Sequence, residues 1–393
     1  MKILHVVPTY LPATRYGGPI YSVHALCKAL VKKGHEVHVY TTNVDGPGDS
    51  PVTLYKPVDV EGVTVWYFPS KWLRRIYWSP PLARALYSQI NQFDLVHLHS
   101  VFLWPIWSAA GIAWIANIPY VLSPRGMLVR DLIDRKNKWL KKAWISYFGR
   151  RVINRASAIH VTSAQELSEL SGFKFNILNI SNIPNGVELQ HDYNSEQASM
   201  DVREIISKKP LILFVGRINW KKGLERLILA MNDVPKGHLA IIGNDEENYL
   251  PKLEKIISDN SLQKKITILP RIIKEIDKQI LYGSAYVFTL VSYSENFGNS
   301  ALEAMASSCP VITTPEVGLS DYIRDKNCGF IVYGGPDRIA EAINRIISNN
   351  NLRNEMADNA YNIAKTFSWE SVTEKMLSLY TSVIDATKSN HID

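Results

Sequence analysis

Two glutamates, Glu295 and Glu303, enclose a turn formed by Phe297, Gly298 and Asn299. The apolar run before this segment predicts a short buried strand, and the run of strong helix formers after it predicts a helix. In an open α/β sheet, such a loop lies at the carboxyl end of a strand, where free N–H groups of the next helix can bind an anion. Carboxylates at its two ends are suited to hold the hydroxyl groups of a sugar and of a ribose.

The alternative to a binding function is that Glu295 and Glu303 have only structural roles. Glu303 lies one turn into the predicted helix, where the helix dipole favours an acidic residue, and Glu295 is equally acceptable as a turn residue. A purely structural role becomes less favoured when the two glutamates are considered together with basic residues of the same half of the chain. Arg217 and Lys222 follow directly after an apolar run at 211–215 that predicts another buried strand.

Arg217 and Lys222 are candidates for binding a diphosphate. A guanidinium forms bidentate hydrogen bonds to phosphate oxygens, and an ammonium neutralises them as a point charge. Many charge runs of this kind are only a solvated face of the protein. Their position after a buried strand favours a function, and with the two glutamates they offer partners for two phosphates, a ribose and a hexose.

Two further candidate clusters lie in the first half of the chain. Gly17 and Gly18 follow the first predicted strand, where paired glycines let the backbone approach a ligand, although packing alone also explains them. His99 ends a strand in which His97 lies on the same face, and Arg125 lies in a turn after the next strand. We expect His99 and Arg125 on the acceptor side, while a core histidine is an equal alternative for His99.

Alternating strands and helices surround these clusters in both halves of the chain. The βαβ pattern at 2–41 resumes at 210–243, and the polar segment 190–209 between them predicts a linker. We therefore expect two doubly wound, Rossmann-like domains that face each other across a cleft, with a last helix that returns to the first domain. The expected bounds are 1–192 for the first domain, 193–368 for the second and 369–393 for the last helix.

The formal net charge of +7 is unevenly placed. Residues 1–192 hold 21 basic and 12 acidic residues, net +9, whereas the remainder holds 23 basic and 25 acidic residues, net −2. A basic helix at 135–155, in which Trp139, Trp144 and Phe148 are interleaved, is suited to an anionic membrane surface. It is equally explained as an amphipathic helix packed on the first domain. Nothing beside these charges resembles a base-reading module, so no nucleic-acid partner is expected.

Composition indicates a soluble globular protein, with 46% hydrophobic and 21% charged residues. No apolar run of about 18 residues predicts a transmembrane helix, and the chain begins with a strand pattern rather than a signal peptide. We therefore expect a cytoplasmic protein, peripheral on the inner face of the membrane if the basic helix binds lipid. The three cysteines are far apart in apolar contexts, which indicates buried thiols.

Taken together, these residues resemble glycosyltransferase family 4, the retaining nucleotide-sugar enzymes of the GT-B fold. The resemblance covers nearly the whole chain. It is carried by Gly17-Gly18, Gly216-Arg217 with Lys222-Gly223, the Glu295-x7-Glu303 motif and the segment Ile183 to Val187. It implies transfer of a hexosyl unit from a UDP- or GDP-sugar to a glycan or a polyprenyl-diphosphate-linked acceptor, in the synthesis of surface polysaccharide or lipopolysaccharide.

The resemblance also implies roles for the donor-side residues. Arg217 and Lys222 would bind the donor diphosphate, and Glu303 the ribose hydroxyls. Glu295 would contact the hydroxyls of the transferred sugar, beside the backbone of the Phe297-Gly298-Asn299 turn. Such enzymes need no metal because basic residues and helix N-termini stabilise the departing nucleotide. The chain shows no Asp-x-Asp pattern, so we expect neither a metal nor a cofactor.

Arg125 departs from the family pattern, because many relatives have a histidine in this turn. The guanidinium cannot act as a general base at neutral pH, but it can stabilise negative charge on the donor or the acceptor. We therefore expect Arg125, Arg217, Lys222 and Glu295 to be the catalytic residues, and we name no protein base.

Other classes of protein fit less well. An NAD-dependent Rossmann enzyme needs a Gly-x-Gly-x-x-Gly fingerprint, which is missing. A non-catalytic nucleotide-sugar binding protein would tolerate the loss of Glu295 or Lys222, and both are present. A nucleotide-sugar epimerase or a phosphorylase of GT-B architecture stays as an alternative. Epimerisation or hydrolysis without an acceptor would favour the epimerase, and dependence on inorganic phosphate would favour the phosphorylase.

Overall fold

The computed structural model describes residues 1–13, 18–129, 133, 138–189, 194–245 and 247–389, with the backbone alone at 138 and 140. The chain divides into two compact units. Unit 1 consists of Met1–Gly186 together with Trp369–Asp393, and unit 2 is Val187–Ser368. The C-terminal helix, Trp369–Ser389, thus belongs to unit 1 although it follows unit 2 in the sequence.

Unit 1 is built on a mostly parallel sheet. Its strands are β1 (Lys2–Val6), β2 (Glu36–Thr42), β3 (Val44–Asp45), β4 (Gly48–Asp49), β5 (Pro57–Val60), β6 (Val63–Phe68), β7 (Leu95–His99), β8 (Tyr120–Ser123), β9 (Ala158–Val161) and β10 (Ile180–Asn182). Within the described residues the main sheet has the order β10-β9-β8-β7-β1-β2-β6-β5, and β3 and β4 form a separate antiparallel pair. Of the strands that the structure describes in the main sheet, only β5 runs antiparallel to its neighbour.

Helices cover both faces of this sheet. Before the C-terminal helix they are α1 (Gly18–Lys32), α2 (Pro80–Gln89), α3 (Trp104–Ile115), α4 (Lys138–Trp144), a π-helical turn (Ile145–Gly149), α5 (Arg150–Asn154) and α6 (Ala164–Ser171). The C-terminal helix packs with α1 on one face, where Val372, Met376 and Tyr380 are buried against Leu30 and Val121. Because these apolar side chains lie at helical spacing, their burial accounts for the return of the chain to unit 1.

Unit 2 is a second doubly wound unit. Its strands are β11 (Leu211–Val215), β12 (His238–Ile242), β13 (Ile266–Leu269), β14 (Val287–Leu290), β15 (Val311–Thr313) and β16 (Gly329–Ile331). They pair in parallel in the order β13-β12-β11-β14-β15-β16. The helices are α7 (Met200–Ser207), α8 (Leu224–Ala230), α9 (Leu250–Asp259), α10 (Glu275–Ser284), α11 (Asn299–Ala306), α12 (Ser320–Ile323), α13 (Pro336–Ser348) and α14 (Asn350–Lys365).

Each sheet has a point at which the strand order reverses. In unit 1, β1 lies between β2 and β7, and in unit 2, β11 lies between β12 and β14. The loops that leave the carboxyl ends of the two strands at such a point diverge, which leaves a crevice where ligands bind in open α/β sheets. The expected α/β fold of two Rossmann-like units with a returning C-terminal helix is confirmed.

The two passages of the chain between the units run side by side. The N–H group of Val187 donates to the carbonyl oxygen of Phe367 at 2.8 Å, and Val187 forms a parallel bridge with Ser368. Next to this bridge, the indole of Trp369 lies so close to the backbone of Gly186 that a Cβ at position 186 would overlap it. The glycine is therefore required by the close approach of the ring.

The cysteines and the helices also bear on the predictions from the sequence. Cys27, Cys309 and Cys328 are buried free thiols, as the sequence predicted. In the part of the chain that the structure describes, no helix combines the length and the apolar character that crossing a membrane requires.

Substitution of Gly186 by alanine should destabilise unit 1, because the added methyl group must displace the Trp369 indole. We expect a loss of about 1–3 kcal/mol in the free energy of unfolding, the usual cost of overpacking. Denaturant unfolding gives this value, and hydrogen exchange should show weaker protection in the C-terminal helix.

The matched control is Gly111→Ala on α3, where an added Cβ meets nothing within 4 Å. It should leave stability unchanged or raise it by up to about 1 kcal/mol, since alanine is the better helix former. Equal stability of the two variants would show that the contact between Gly186 and Trp369 is not required.

Candidate active site

A short turn after β11 positions Lys222. The side chain of Asn219 accepts a hydrogen bond from the N–H of Lys221 at 3.1 Å and begins a 3₁₀ turn, Trp220–Lys222. Gly223 ends the turn with a φ of 63°, and a Cβ there would overlap the carbonyl oxygen of Val291. Only glycine fits this position, so the loop after β11 can lie directly against the loop after β14.

Backbone hydrogen bonds and an arginine hold these two loops together. The N–H of Tyr293 donates to the carbonyl oxygen of Lys221 at 2.7 Å. Arg226, on α8, donates from Nε to the Val291 carbonyl oxygen at 2.9 Å and from Nη2 to the Ser292 carbonyl oxygen at 2.9 Å. Sequence reasoning missed Arg226, because nothing in its local pattern shows that it reaches a segment 65 residues away.

Lys222 and Glu295 form an ion pair at the carboxyl ends of β11 and β14. Lys222 Nζ donates to Glu295 Oε2, and the two side chains are only 12% and 23% exposed. Glu295 is fixed by its backbone, which donates to Glu316 O at 2.9 Å and accepts from Gly318 N at 3.1 Å. The two groups expected to bind different parts of the donor are thus brought together and neutralise one another.

The Phe297-Gly298-Asn299 turn leads directly into α11. Phe297 is buried, and its carbonyl oxygen accepts from the N–H of Leu319 at 2.7 Å. Gly298 has a φ of 103°, and a Cβ there would lie 2.8 Å from Val317 Cγ1. The turn therefore offers backbone rather than a polar side chain at Phe297, and its assignment to the donor stays a prediction.

Glu303 is held by α10. Its Oε2 accepts from the Tyr282 hydroxyl at 3.0 Å and pairs with Lys278 Nζ at 3.2 Å. Burial and the neighbouring Glu303 raise the pKa of Tyr282 well above its ordinary value. Burial alone would lower the pKa of Lys278, but the carboxylates of Glu303 and Glu275 raise it. The Glu303 carboxylate thus has fixed partners, which sequence reasoning missed because they come from another helix.

Arg217 follows β11 directly, at the edge of the sheet where Lys222 and Glu295 pair. The preceding Gly216 donates from its N–H to Ile242 O at 2.9 Å. Gly243, after β12, has a φ of 146°, and a Cβ there would overlap the Gly216 carbonyl oxygen. The backbone that carries Arg217 is therefore fixed by close packing of two neighbouring strand ends.

In unit 1, buried polar side chains form a hydrogen-bonded chain between the sheet and the C-terminal helix. His160 Nε2 lies 2.8 Å from Ile183 O and must donate, so His160 Nδ1 accepts from the Ser123 hydroxyl at 2.7 Å. His97 Nε2 then donates to Ser123 Oγ at 2.7 Å, and His97 Nδ1 accepts from the Tyr380 hydroxyl at 2.6 Å. The directions of all four bonds are thus fixed.

Arg125 and His99 are brought together at the ends of β8 and β7. Arg125 Nη2 donates to His99 Nδ1 at 3.3 Å, and Nη1 donates to Asn185 Oδ1 at 2.8 Å. His99 is buried, as a core histidine would be, and its expected place on the acceptor side stays a prediction. Asn185 belongs to the segment Ile183 to Val187, whose role the sequence left open.

The imidazoles of this cluster are uncharged at neutral pH. Burial, and after it the charge of Arg125, lower the pKa of His5 and of His160 to about 3. Burial is also the main cause that lowers the pKa of His97 and of His99. One ring nitrogen from each of His5, His97 and His99 lies within 4.8 Å of the others, a spacing that suits a metal ion. However, both ring nitrogens of His97 and of His99 and the Nδ1 of His5 take part in hydrogen bonds, and the Arg125 guanidinium disfavours a cation.

Some residues that the sequence predicted to have a function lie outside the described residues or are placed differently from the prediction. Gly17 lies outside the described residues, and Gly18 is the exposed first residue of α1. Residues 135–137 of the basic helix also lie outside them. The expectation that Trp144 faces a membrane is wrong, because it is 8% exposed and packs against Phe102 and Trp107, at ring distances of 4.9 and 5.2 Å.

Lowering the pH should destabilise unit 1. The pKa values of His5, His97, His99 and His160 lie below the ordinary 6.5, so as the pH falls below 6.5 the unfolded chain binds more protons than the folded one, down to about pH 3 for His5 and His160. Each histidine then lowers the free energy of unfolding by up to about 1.4 kcal/mol per pH unit. Hydrogen exchange of β1 and β7 amides at pH 7, 6 and 5 measures this loss.

The strands β11 and β14 of unit 2 serve as an internal control, and protection there should fall less. The variant His160→Gln should flatten the pH dependence of unit 1 by up to one proton. Equal loss of protection in both units would contradict the assignment of the effect to the histidine cluster.

Comparison with known proteins identifies the family. Residues 195–363 match the family model described as Glycosyl transferases group 1, and residues 16–191 match the model for Glycosyltransferase Family 4. An uncharacterized glycosyltransferase of Methanocaldococcus jannaschii is 27% identical, over 97% of this chain and 98% of its own. Alpha-monoglucosyldiacylglycerol synthase of Streptococcus pneumoniae is 25% identical, over 88% of this chain and 79% of its own.

A solved structure agrees in fold. HepE of Anabaena, in complex with UDP and glucose, superposes with a TM-score of 0.77 at 18% identity, covering 97% of this chain and 100% of that one. The two family matches lie in the two halves of the chain and together span most of it. The expected resemblance is thereby confirmed, and the chain belongs to glycosyltransferase family 4, as a glycosyltransferase of the GT-B fold.

Proposed function

We propose that this glycosyltransferase moves a hexosyl unit from a UDP- or GDP-sugar to a glycan or lipid-linked acceptor, with retention of configuration, in the synthesis of surface polysaccharide or lipopolysaccharide. The observation that carries the proposal is the ion pair between Lys222 and Glu295, where the strand order of unit 2 reverses. Two similarities support it. HepE was solved with UDP and glucose, and the Streptococcus pneumoniae relative is named for a glucosyl lipid.

Donor binding exchanges the partners of this ion pair. The diphosphate takes Lys222, with Arg217 beside it, and the sugar hydroxyls take the carboxylate of Glu295. The bond between the sugar C1 and the phosphate oxygen breaks while a bond from C1 to the acceptor oxygen forms on the same face. The acceptor proton passes to a phosphate oxygen of the departing nucleotide. Because Lys222 and Arg217 would place two positive charges beside that leaving group, we propose turnover without a metal.

Glu295→Gln and Lys222→Ala should act in opposite directions on UDP affinity. The glutamine no longer competes with phosphate for Lys222, so UDP should bind about three- to tenfold more tightly, or ~0.6–1.4 kcal/mol. Lys222→Ala should weaken UDP binding by at least about tenfold, because a charged partner of the diphosphate is lost. Both variants should transfer sugar at least about a hundredfold more slowly. Calorimetry measures the affinities, and product formation measures the rates.

The control for loss of a positive charge is Lys236→Ala, at an exposed position in unit 2 before the amino end of β12. This variant should change neither the affinity for UDP nor the rate of sugar transfer. If Glu295→Gln binds UDP no more tightly than the native protein, the ion pair does not restrain Lys222. If turnover survives both substitutions, the donor-site assignment is wrong.

A donor screen tests the proposed function itself. Purified protein is incubated with UDP- and GDP-sugars and a lipid-diphosphate acceptor, and the products are identified by mass spectrometry and by the anomeric coupling in NMR. Transfer to the acceptor with the donor's anomeric configuration is the expected result. Epimerised donor without an acceptor, or turnover only with inorganic phosphate, would establish the alternative epimerase or phosphorylase.

We also propose that unit 1 binds the inner, cytoplasmic face of an anionic membrane. Trp139 is 84% exposed on α4, and Tyr147 and Phe148 are exposed on the π-helical turn that follows. Basic side chains at Lys142 and Arg151 are exposed on the same stretch. Aromatic rings at the interface together with lysines near anionic headgroups are the combination that peripheral helices use.

The variant Trp139→Ser with Lys142→Glu should bind vesicles of anionic lipid at least about tenfold less, because each basic residue near the surface contributes about 1 kcal/mol. Tyr87→Ser with Lys375→Glu is the matched control, since it removes an exposed aromatic ring and an exposed lysine elsewhere on unit 1. Co-sedimentation with vesicles measures binding. Equal loss in both variants, or in neither, would remove the membrane proposal.

A further inference from the structure

Arg125 places a positive charge beside the carboxyl ends of β7 and β8. Among the described residues, no acidic group lies within ion-pairing distance of its guanidinium. The acid that acts on it electrostatically is Glu166, whose oxygens accept from Gly126 N at 2.6 Å and from Thr162 N at 2.8 Å. Nη1 and Nη2 donate to neutral acceptors, and the Nε–H group is buried without a partner. Such an arrangement is costly unless a ligand completes it.

A second unpartnered N–H group follows from the hydrogen-bond directions. Because His99 Nδ1 accepts from Arg125, His99 Nε2 carries the proton and donates to His5 Nδ1 at 2.9 Å. His5 therefore has its proton on Nε2, which is fully buried and has no hydrogen-bond partner. Arg125 also lowers the pKa of His5, so the two groups are within electrostatic reach of each other.

The backbone at this edge of the sheet is strained. Ser100, directly after β7, has a φ of 90°, and Arg125, after β8, has a φ of 56°. The N–H of Ser100 donates to the carbonyl oxygen of Ser123 at 2.9 Å, which ties the two strand ends together. Two non-glycine residues in left-handed conformations on neighbouring strands are typical of sites where surrounding structure enforces a functional geometry. They lie beside the reversal point between β1 and β7, where a ligand is expected.

The chemistry of these groups selects the kind of ligand. The positive charge of the guanidinium disfavours a cation, including a metal ion at the three histidines. A neutral hydroxyl would satisfy an N–H group but leave the charge uncompensated. An oxyanion can accept from N–H groups of this kind and also compensates the charge, through charge-assisted hydrogen bonds. We propose that Arg125 and His5 bind the oxyanion of an acidic sugar, a carboxylate or a phosphate, on the acceptor that unit 1 holds. The binding of an oxyanion does not depend on the proposed function, but its assignment to the acceptor does.

The probes are glucuronate and glucose 6-phosphate, with glucose as the neutral counterpart. Each is titrated into the full chain, and the histidine side-chain signals are followed by ¹H–¹⁵N NMR. We expect saturable shifts of the His5 and His99 signals with both acidic sugars and at least about tenfold weaker binding of glucose, since glucose offers no charged acceptor to the guanidinium. A carboxylate and a phosphate source are distinguished by which acidic sugar binds more tightly.

Arg125→Gln, which keeps a planar donor but loses the charge, should weaken both acidic sugars at least about tenfold and leave glucose unchanged. Arg125→Lys keeps the charge and should retain the preference for acidic sugars with lower affinity, and this variant decides the matter if the glutamine variant does not fold. Two results would overturn the assignment. One is native affinity for the acidic sugars in Arg125→Gln, and the other is loss of the preference for acidic sugars over glucose in Arg125→Lys.

Lys222→Ala is the control for the diphosphate groups of unit 2, and it should bind acidic sugars as the native protein does. Loss of binding in this variant, or displacement of glucuronate by UDP, would assign the anion to unit 2 and overturn the proposal. The failure of the proposed function is a separate result. If no nucleotide sugar is turned over but the shifts persist and depend on Arg125, the oxyanion site stands and only the assignment to an acceptor is lost.

Discussion

Parallel pairing of the strands is the constraint on which the rest of this structure depends. In both units the strands around the reversal point run in the same direction, so their carboxyl ends lie at one edge of the sheet. Residues separated by more than 70 positions in the sequence, such as Lys222 and Glu295, are thereby brought into contact. In unit 2 the candidate polar groups lie in or beyond the loops that follow buried strands, whereas in unit 1 the histidines of the buried cluster lie on the strands themselves.

Close backbone approach converts this shared edge into fixed geometry. Gly223 and Gly298 adopt left-handed conformations where a side chain would overlap a neighbouring strand end or loop. Most of the candidate polar groups are in turn held by a second group: Glu295 by Lys222, Glu303 by Tyr282 and Lys278, and His99 by Arg125. Side chains held in this way have already lost much of their conformational freedom, so less ordering is left to occur when a ligand binds.

The sequence predicted the order of the elements well, because hydrophobic period and glycine position are local signals. The strand expected at 211–215 is β11, Leu211–Val215, and the turn at 297–299 leads into a helix as expected. Contacts between distant elements were not predictable. Nothing near His97 indicates that its partner is Tyr380, 283 residues away, and nothing near Glu303 indicates Lys278. Trp144 was misplaced for the same reason, since its burial depends on Phe102 and Trp107 from other parts of the chain.

Because the C-terminal helix completes the core of unit 1, the two units differ in when they can finish folding. Unit 2 is a continuous segment, Val187–Ser368, and all of its strands are available once that segment has left the ribosome. The larger part of unit 1 precedes unit 2 in the sequence, yet Met376 and Tyr380, which fill its core and close its polar chain, follow the whole of unit 2. The first part of unit 1 must therefore wait, with the face of its sheet beside α1 incompletely covered, until the whole of unit 2 has been synthesised.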